Sequence, residues 1–136
     1  MQIEFTTKEF RRLLDLVYIG NWILNSTRGN ERFADYDNLE SKLFALCNSH
    51  GMQSLTQFWN GTYIPSQAYE EGGIQEVIAL YEDNTFYEIL AEELSRRDMD
   101  YPDITPENYQ EISDRMQQYM LEFEANGVTR LTLETD

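Results

Sequence analysis

The chain has 136 residues, the length of one ordinary domain. Apolar residues make up 41% and aromatics 13%, enough for a packed core, which excludes a disordered polar tract. The formal net charge of −15 excludes direct nucleic-acid binding and attraction to anionic membranes, and favours basic partners.

Gln2-Ile3-Glu4-Phe5 alternates polar and apolar residues and predicts a short strand. Thr6 and Glu9 have capping-box spacing, with Thr6 accepting a backbone N–H and Glu9 reaching back. A helix follows to about Asn25, with apolar positions Phe10, Leu13, Leu14, Val17, Ile23 and Leu24. Leu16, Ile19 and Trp22 widen that stripe, so this helix is expected to be central and covered on more than one side.

Ser26 to Ala34 reads as a loop. Asp35 or Asp37 is expected to cap the next helix, whose buried face is Leu39, Leu43, Phe44, Leu46 and Cys47. Gly51 suits the left-handed residue after it. Residues 51–73 have no clean period and carry turn signals at Asn60-Gly61, Pro65 and Gly72-Gly73. They predict a long connection with one helical turn near Leu55–Trp59, and connections of that length are often functional.

Helical spacing resumes at Ile74 with Val77, Ile78 and Tyr81. Asp83-Asn84-Thr85 is expected to interrupt it before a second segment bearing Phe86, Ile89, Leu90 and Leu94. Asp98 to Ile104 is a connector. Thr105 and Pro106 predict the N-cap and first residue of a last helix, striped by Tyr109, Ile112, Met116, Tyr119, Met120 and Phe123. Thr129 to Glu134 alternates again, so the two terminal strands are expected to pair. The fold class is therefore mainly α, at the α+β margin: a compact single domain spanning 1–136, with four or five helices and a two-stranded β element formed by the termini.

Charge is unevenly spread. Residues 1–69 hold seven acids against six bases, whereas residues 70–136 hold 18 acids and only Arg96, Arg97, Arg115 and Arg130. Such a half either keeps the protein soluble or attracts a basic surface. Lys8, Arg11 and Arg12 crowd the first turn of the first helix. They suit an acidic partner or, as preferred, pairing with the acidic half of the same chain.

With one cysteine, Cys47, no disulfide can form within the chain, which fits a reducing, cytoplasmic compartment. The N-terminus has neither a basic nor a long apolar region, so no signal peptide is expected. Leu13 to Leu24 is broken by Asp15, Gly20 and Asn21 and falls short of the roughly 20 residues of a membrane span.

No nucleotide-binding, zinc-protease, hydrolase or Cys-x-x-Cys motif is present, and the single histidine, His50, rules out His-based triads built alongside a second histidine. Cys47 and His50 are three apart and could form a dyad, but Cys47 falls on the apolar stripe, where cysteine behaves as a small hydrophobe. Glu88 with Glu92, and Asp98, Asp100 and Asp103, lack the partners of known metal loops and read as solvated faces. No cofactor or metal is expected.

The segment singled out is the aromatic connector. Phe58, Trp59, Tyr63 and Tyr69 are the candidate binding residues, because Tyr and Trp in loops anchor partners; the alternative is that they fold inward. The reading is a small acidic, non-enzymatic interaction module, adaptor or regulator, that binds a basic protein surface; a homo-oligomer is compatible with it. Two alternatives belong to other classes: a nucleic-acid mimic that inhibits a DNA-binding protein, and a small enzyme using carboxylates or tyrosines in a cleft.

Overall fold

A computed structural model describes residues 1–135. The fold is mainly α, about 65% helical, with four long helices and one small antiparallel sheet. The elements are α1 (Thr7–Asn25), α2 (Ala34–Ala45), β1 (Thr56–Trp59), β2 (Thr62–Pro65), the single turn α3 (Gln67–Tyr69), α4 (Gln75–Asp98) and α5 (Tyr109–Asn126). Backbone contacts divide the chain into two compact units, Met1–Ile78 and Ala79–Asp136.

In the first unit, α1 begins as its local sequence dictates. Thr6 Oγ1 accepts from Glu9 N–H at 3.1 Å, and Glu9 Oε2 accepts from Thr6 N–H at 2.8 Å, so two otherwise orphaned donors are satisfied. Phe10, Leu14 and Tyr18 form the buried stripe of α1, against Phe44, Cys47, Tyr69, Ile74 and Ile78. Leu16 and Ile23 stay exposed, so α1 is covered on one side only. Tyr69 is central: its ring meets Phe44 and Tyr18 edge-on, with centroids 5.0 and 5.2 Å away. Its hydroxyl donates to Asp15 Oδ1 at 2.8 Å.

The cap of α2 differs from expectation. Phe33 occupies the N-cap without a side-chain bond, and Asp35 and Asp37 lie in the first turn. Of the face expected to be buried, Phe44 and Cys47 are, whereas Leu39 and Leu46 are exposed. A short 3-10 stretch, Leu46–Ser49, tightens the exit, and Gly51 takes the positive φ expected of it.

The β element exists but is not made by the termini. Neither Gln2–Phe5 nor Thr129–Glu134 is a strand. The strands lie in the segment read as a connection: β1 and β2 pair antiparallel, with Trp59 opposite Thr62 and Phe58 opposite Tyr63. The helical turn predicted near Leu55–Trp59 is not there: Thr56–Trp59 is strand β1, and a 3-10 turn, Gln53–Leu55, precedes it. Asn60 and Gly61 have φ of 50° and 83°, both left-handed, which is the two-residue turn whose twist matches paired strands. The ends of the hairpin are tied down. Ser66 Oγ donates to Ser54 O at 2.5 Å and accepts from Tyr69 N–H, which caps α3, and Thr62 Oγ1 bonds Ser41 Oγ of α2.

Helix α4 runs unbroken through Asp83-Asn84-Thr85, with Thr85 Oγ1 donating to Tyr81 O at 2.7 Å. Arg96 and Arg97 lie in its last turn, as dipole complementarity favours.

In the second unit, from Ala79 onward, Ala91 and Ser95 are buried one turn apart on α4, and Ile112 and Phe123 are buried on α5. Tyr87 lies 5.5 Å from Phe123, and Tyr119 donates to Asp98. Helix α5 starts later than predicted, at Tyr109: Asn108 is the N-cap, and its Oδ1 accepts from Thr105 N–H at 2.8 Å. Gly127 ends it at positive φ. No helix among the described residues is long and apolar enough to cross a membrane.

Candidate functional site

Cross-strand partners in a hairpin share a face. Gln57, Trp59, Thr62 and Ile64 therefore occupy one face of β1–β2, and Thr56, Phe58, Tyr63 and Pro65 the other. Phe58 is 62% exposed and Trp59 58%, so the tip presents two large aromatic rings to solvent. Tyr63 is half-buried and meets Phe58 edge-on at 5.1 Å, which stiffens the tip without covering it. Tyr69 does not join them. It is 1% exposed, and as a core residue it cannot act as a surface contact.

Beside the hairpin lies a cleft of about 570 Å³, lined by Gln57 and Ile64 of the Trp59 face, by Pro65 and Gln67, and by Glu70, Glu71, Gln75 and Glu76. Its rear wall is shaped by the wide turn Glu70–Ile74, where Gly73 takes φ of 115°. That turn brings three carboxylates to one side of the cleft. Trp59 shares a hairpin face with Gln57 and Ile64 of this cleft, and Phe58 lies on the opposite face.

A second, smaller cavity of about 300 Å³ adjoins the first through Pro65 and Glu70, and is lined also by Tyr18, Asn21, Trp22, Ser26, Arg32 and Glu40. A polar network holds its wall. Arg32 forks onto Asp37, with Nη2 to Oδ1 at 2.7 Å and Nε to Oδ2 at 2.9 Å. Asn21 Nδ2 donates to Asp37 Oδ1 at 3.0 Å and to Glu40 Oε2 at 3.2 Å. Buried Asn25 donates to Asn21 Oδ1 at 2.7 Å and accepts from Phe33 N–H at 2.7 Å, which fixes the loop between α1 and α2. The Arg32 hydrogen bonds hold the Asp37 carboxyl below its usual range. Glu40 moves the other way: burial pushes it up to about 7, and the neighbouring charges of Asp37 and Glu70 add to this. Burial, with the charge of Glu70 next in weight, raises Tyr18 to about 12.

Of these polar groups only Asp37 was singled out from sequence, as a candidate helix cap and not as part of a network. The available signal was Asn21 and Asn25, one turn apart inside an otherwise apolar helix, where a polar side chain has to find partners.

Comparison with protein-family models, with curated proteins and with solved structures gave no match to this chain.

The remaining candidates are accounted for locally. Cys47 is buried and its thiol is pushed up by burial, so the reactive thiolate is disfavoured. His50 is exposed, with Nδ1 2.8 Å from Leu46 O and its ring 5.5 Å from Phe10. Arg11 and Arg12 pair with Asp15 of the same helix, at 2.6 and 3.8 Å, and not with the acidic half of the chain, because an acid one turn away is within reach. Asp98 is engaged by Arg97 and Tyr119. Among the described residues, no three His, Cys, Asp or Glu side chains form a group able to hold a metal. In the second unit, acids such as Glu82, Asp83, Glu88 and Glu124 alternate with exposed Leu80, Tyr81, Phe86, Ile89 and Leu121.

Proposed function

We propose that this protein is a non-enzymatic interaction module, cytoplasmic in location, that binds a lysine- or arginine-bearing segment of a partner protein across the β1–β2 tip and the adjoining cleft. The observation that carries the reading is the exposure of Phe58 and Trp59 on a well-anchored hairpin. Two exposed aromatics on a rigid turn cost little entropy to engage, which makes them good anchors. Charge complementarity supplies the partner's chemistry. Glu70, Glu71 and Glu76 wall the cleft, no basic residue lines it, and the whole chain carries −15. Trp59 and Phe58 also suit a guanidinium or ammonium group held over a ring face.

The mimic alternative draws less support, because the acids of the second unit are interspersed with exposed apolar side chains and do not form an unbroken phosphate-like row. The enzymatic alternative has one specific observation in its favour, the opposed shifts of Asp37 and Glu40. Both Asp37 oxygens are already occupied by Arg32 and asparagines, so Asp37 is not free to serve as the second carboxylate of an acid–base pair with Glu40.

The test is a peptide array of varied charge and aromatic content, probed with the full chain, with Trp59→Ser and with the triple variant Glu70→Gln, Glu71→Gln, Glu76→Gln. The reading expects captured peptides to be basic, to be lost from both variants and to be shed at high salt. Capture that is indifferent to both variants overturns it.

A further inference from the structure

We propose that the cavity between α1, α2 and Glu70 is a subsite for a primary ammonium group, so that the partner's anchoring residue is a lysine; this rests on the reading of a basic partner given above. Four ionisable side chains of opposite sign meet here: Arg32, Asp37, Glu40 and Glu70. The one cation is spent, since Arg32 is forked onto Asp37. Glu40 accepts a single hydrogen bond, from Asn21 to Oε2, which leaves Oε1 without a donor, and neither Glu40 nor Glu70 is in an ion pair among the described residues. Two carboxylates thus border an open space of about 300 Å³ with no cation of their own.

The walls suit the same ligand. Tyr18 and Trp22 stack with centroids 6.1 Å apart and both line the cavity, giving an alkyl stem an aromatic wall. Tyr18 Oη accepts from Gln75 Nε2 at 2.5 Å, and Ser26 adds a further hydroxyl. Acceptors that come from α1, α2 and the Glu70 turn match three rotatable N–H donors better than a planar guanidinium fork. Burial raises the affinity of Glu40 for its proton, and an ammonium seated beside it would favour the charged carboxylate and displace that proton. Pro65 and Glu70 line both this cavity and the larger cleft, so a peptide held in the cleft lies next to the cavity.

The test titrates the full chain, labelled with carbon-13 at the glutamate carboxyls, with n-butylammonium chloride, with an amidated Nα-acetyl-lysine and with its Nε-acetylated, neutral counterpart. Both amines are expected to shift the Glu40 and Glu70 carboxyl signals saturably, with a dissociation constant on the order of millimolar. The neutral analogue should leave them in place, and Glu40→Gln should weaken the amines about tenfold. A stronger response to the lysine amide than to butylammonium assigns the subsite to a peptide; the reverse order assigns it to a free amine and contradicts the lysine anchor. Shifts reproduced by sodium chloride at equal ionic strength, or by the neutral analogue, overturn the proposal. So does a full response in Glu40→Gln with its amide spectrum otherwise unchanged. Trp59→Ser separates the two readings. Loss of peptide capture there with full capture in Glu40→Gln sinks the subsite alone, and a saturable amine response alongside capture indifferent to Trp59 keeps the subsite and removes the tip.

Discussion

Tyr69 donates its hydroxyl proton to Asp15 across 54 positions of sequence, at 2.8 Å, and Asp15 in turn pairs with Arg11 at 2.6 Å. Arg11 closes the group by lying 5.0 Å from the Tyr69 ring centroid. The link joins the turn after the hairpin to α1, so the base of the candidate site is held by the core itself. Tyr69→Phe keeps the packing and removes only the hydroxyl, and it should cost about 1 kcal/mol in urea unfolding. Tyr69→Ala removes the ring from between Phe44 and Tyr18 and should cost about 4 kcal/mol.

At the hairpin turn, a side chain at Gly61 would meet nothing within 4 Å, so its φ of 83° alone sets the cost of substitution. Gly61→Ala is expected to destabilise by about 1 kcal/mol. The loss should appear locally, as faster amide exchange in Thr56–Trp59 and Thr62–Pro65, before it appears in global unfolding.

Much of the fold was legible where the determinants are local. Thr6 and Glu9 announce the start of α1 because both halves of the box lie within four residues, and Thr6→Ala should cost about 1 kcal/mol by thermal unfolding. The hairpin was half legible. Asn60-Gly61 between Thr56–Trp59 and Thr62–Pro65 is a strong turn signal, but whether four-residue strands pair is decided by their anchors on Ser41 and Ser54, which are distant in sequence. The terminal segments alternate as strands do yet find no partner strand, and alternation alone does not make a sheet. Asp83-Asn84-Thr85 misleads in the opposite direction: each residue is a weak helix breaker, and the sum is smaller than what a continuous α4 gains. Glu40 follows Asp37 at capping-box spacing, which suggests a helix start and not a buried group. Its burial comes from α1 and Glu70, which no local pattern announces.

Glu40 also makes stability depend on pH in a defined direction. Its folded value, about 7, lies above the ordinary value of 4.5, so the folded state holds its proton more tightly than the unfolded chain. Its contribution is fully present below about pH 4.5 and is lost as pH rises through about 7. Glu40→Gln, which stays neutral throughout, should therefore gain on the parent protein between those limits and hold that gain above them. Urea midpoints at pH 4.5, 6 and 8 read this directly, and a constant difference across the three would contradict it.

The most direct test of the central claim is to map, by amide chemical shifts on the full chain, where a short lysine-containing peptide binds. The account predicts saturable changes gathered at Gln57, Phe58, Trp59, Glu70, Glu71 and Glu76, abolished by Trp59→Ser. Changes spread over the acid-rich stretch from Ala79 onward, with the hairpin silent, would show attraction by bulk charge alone and contradict it.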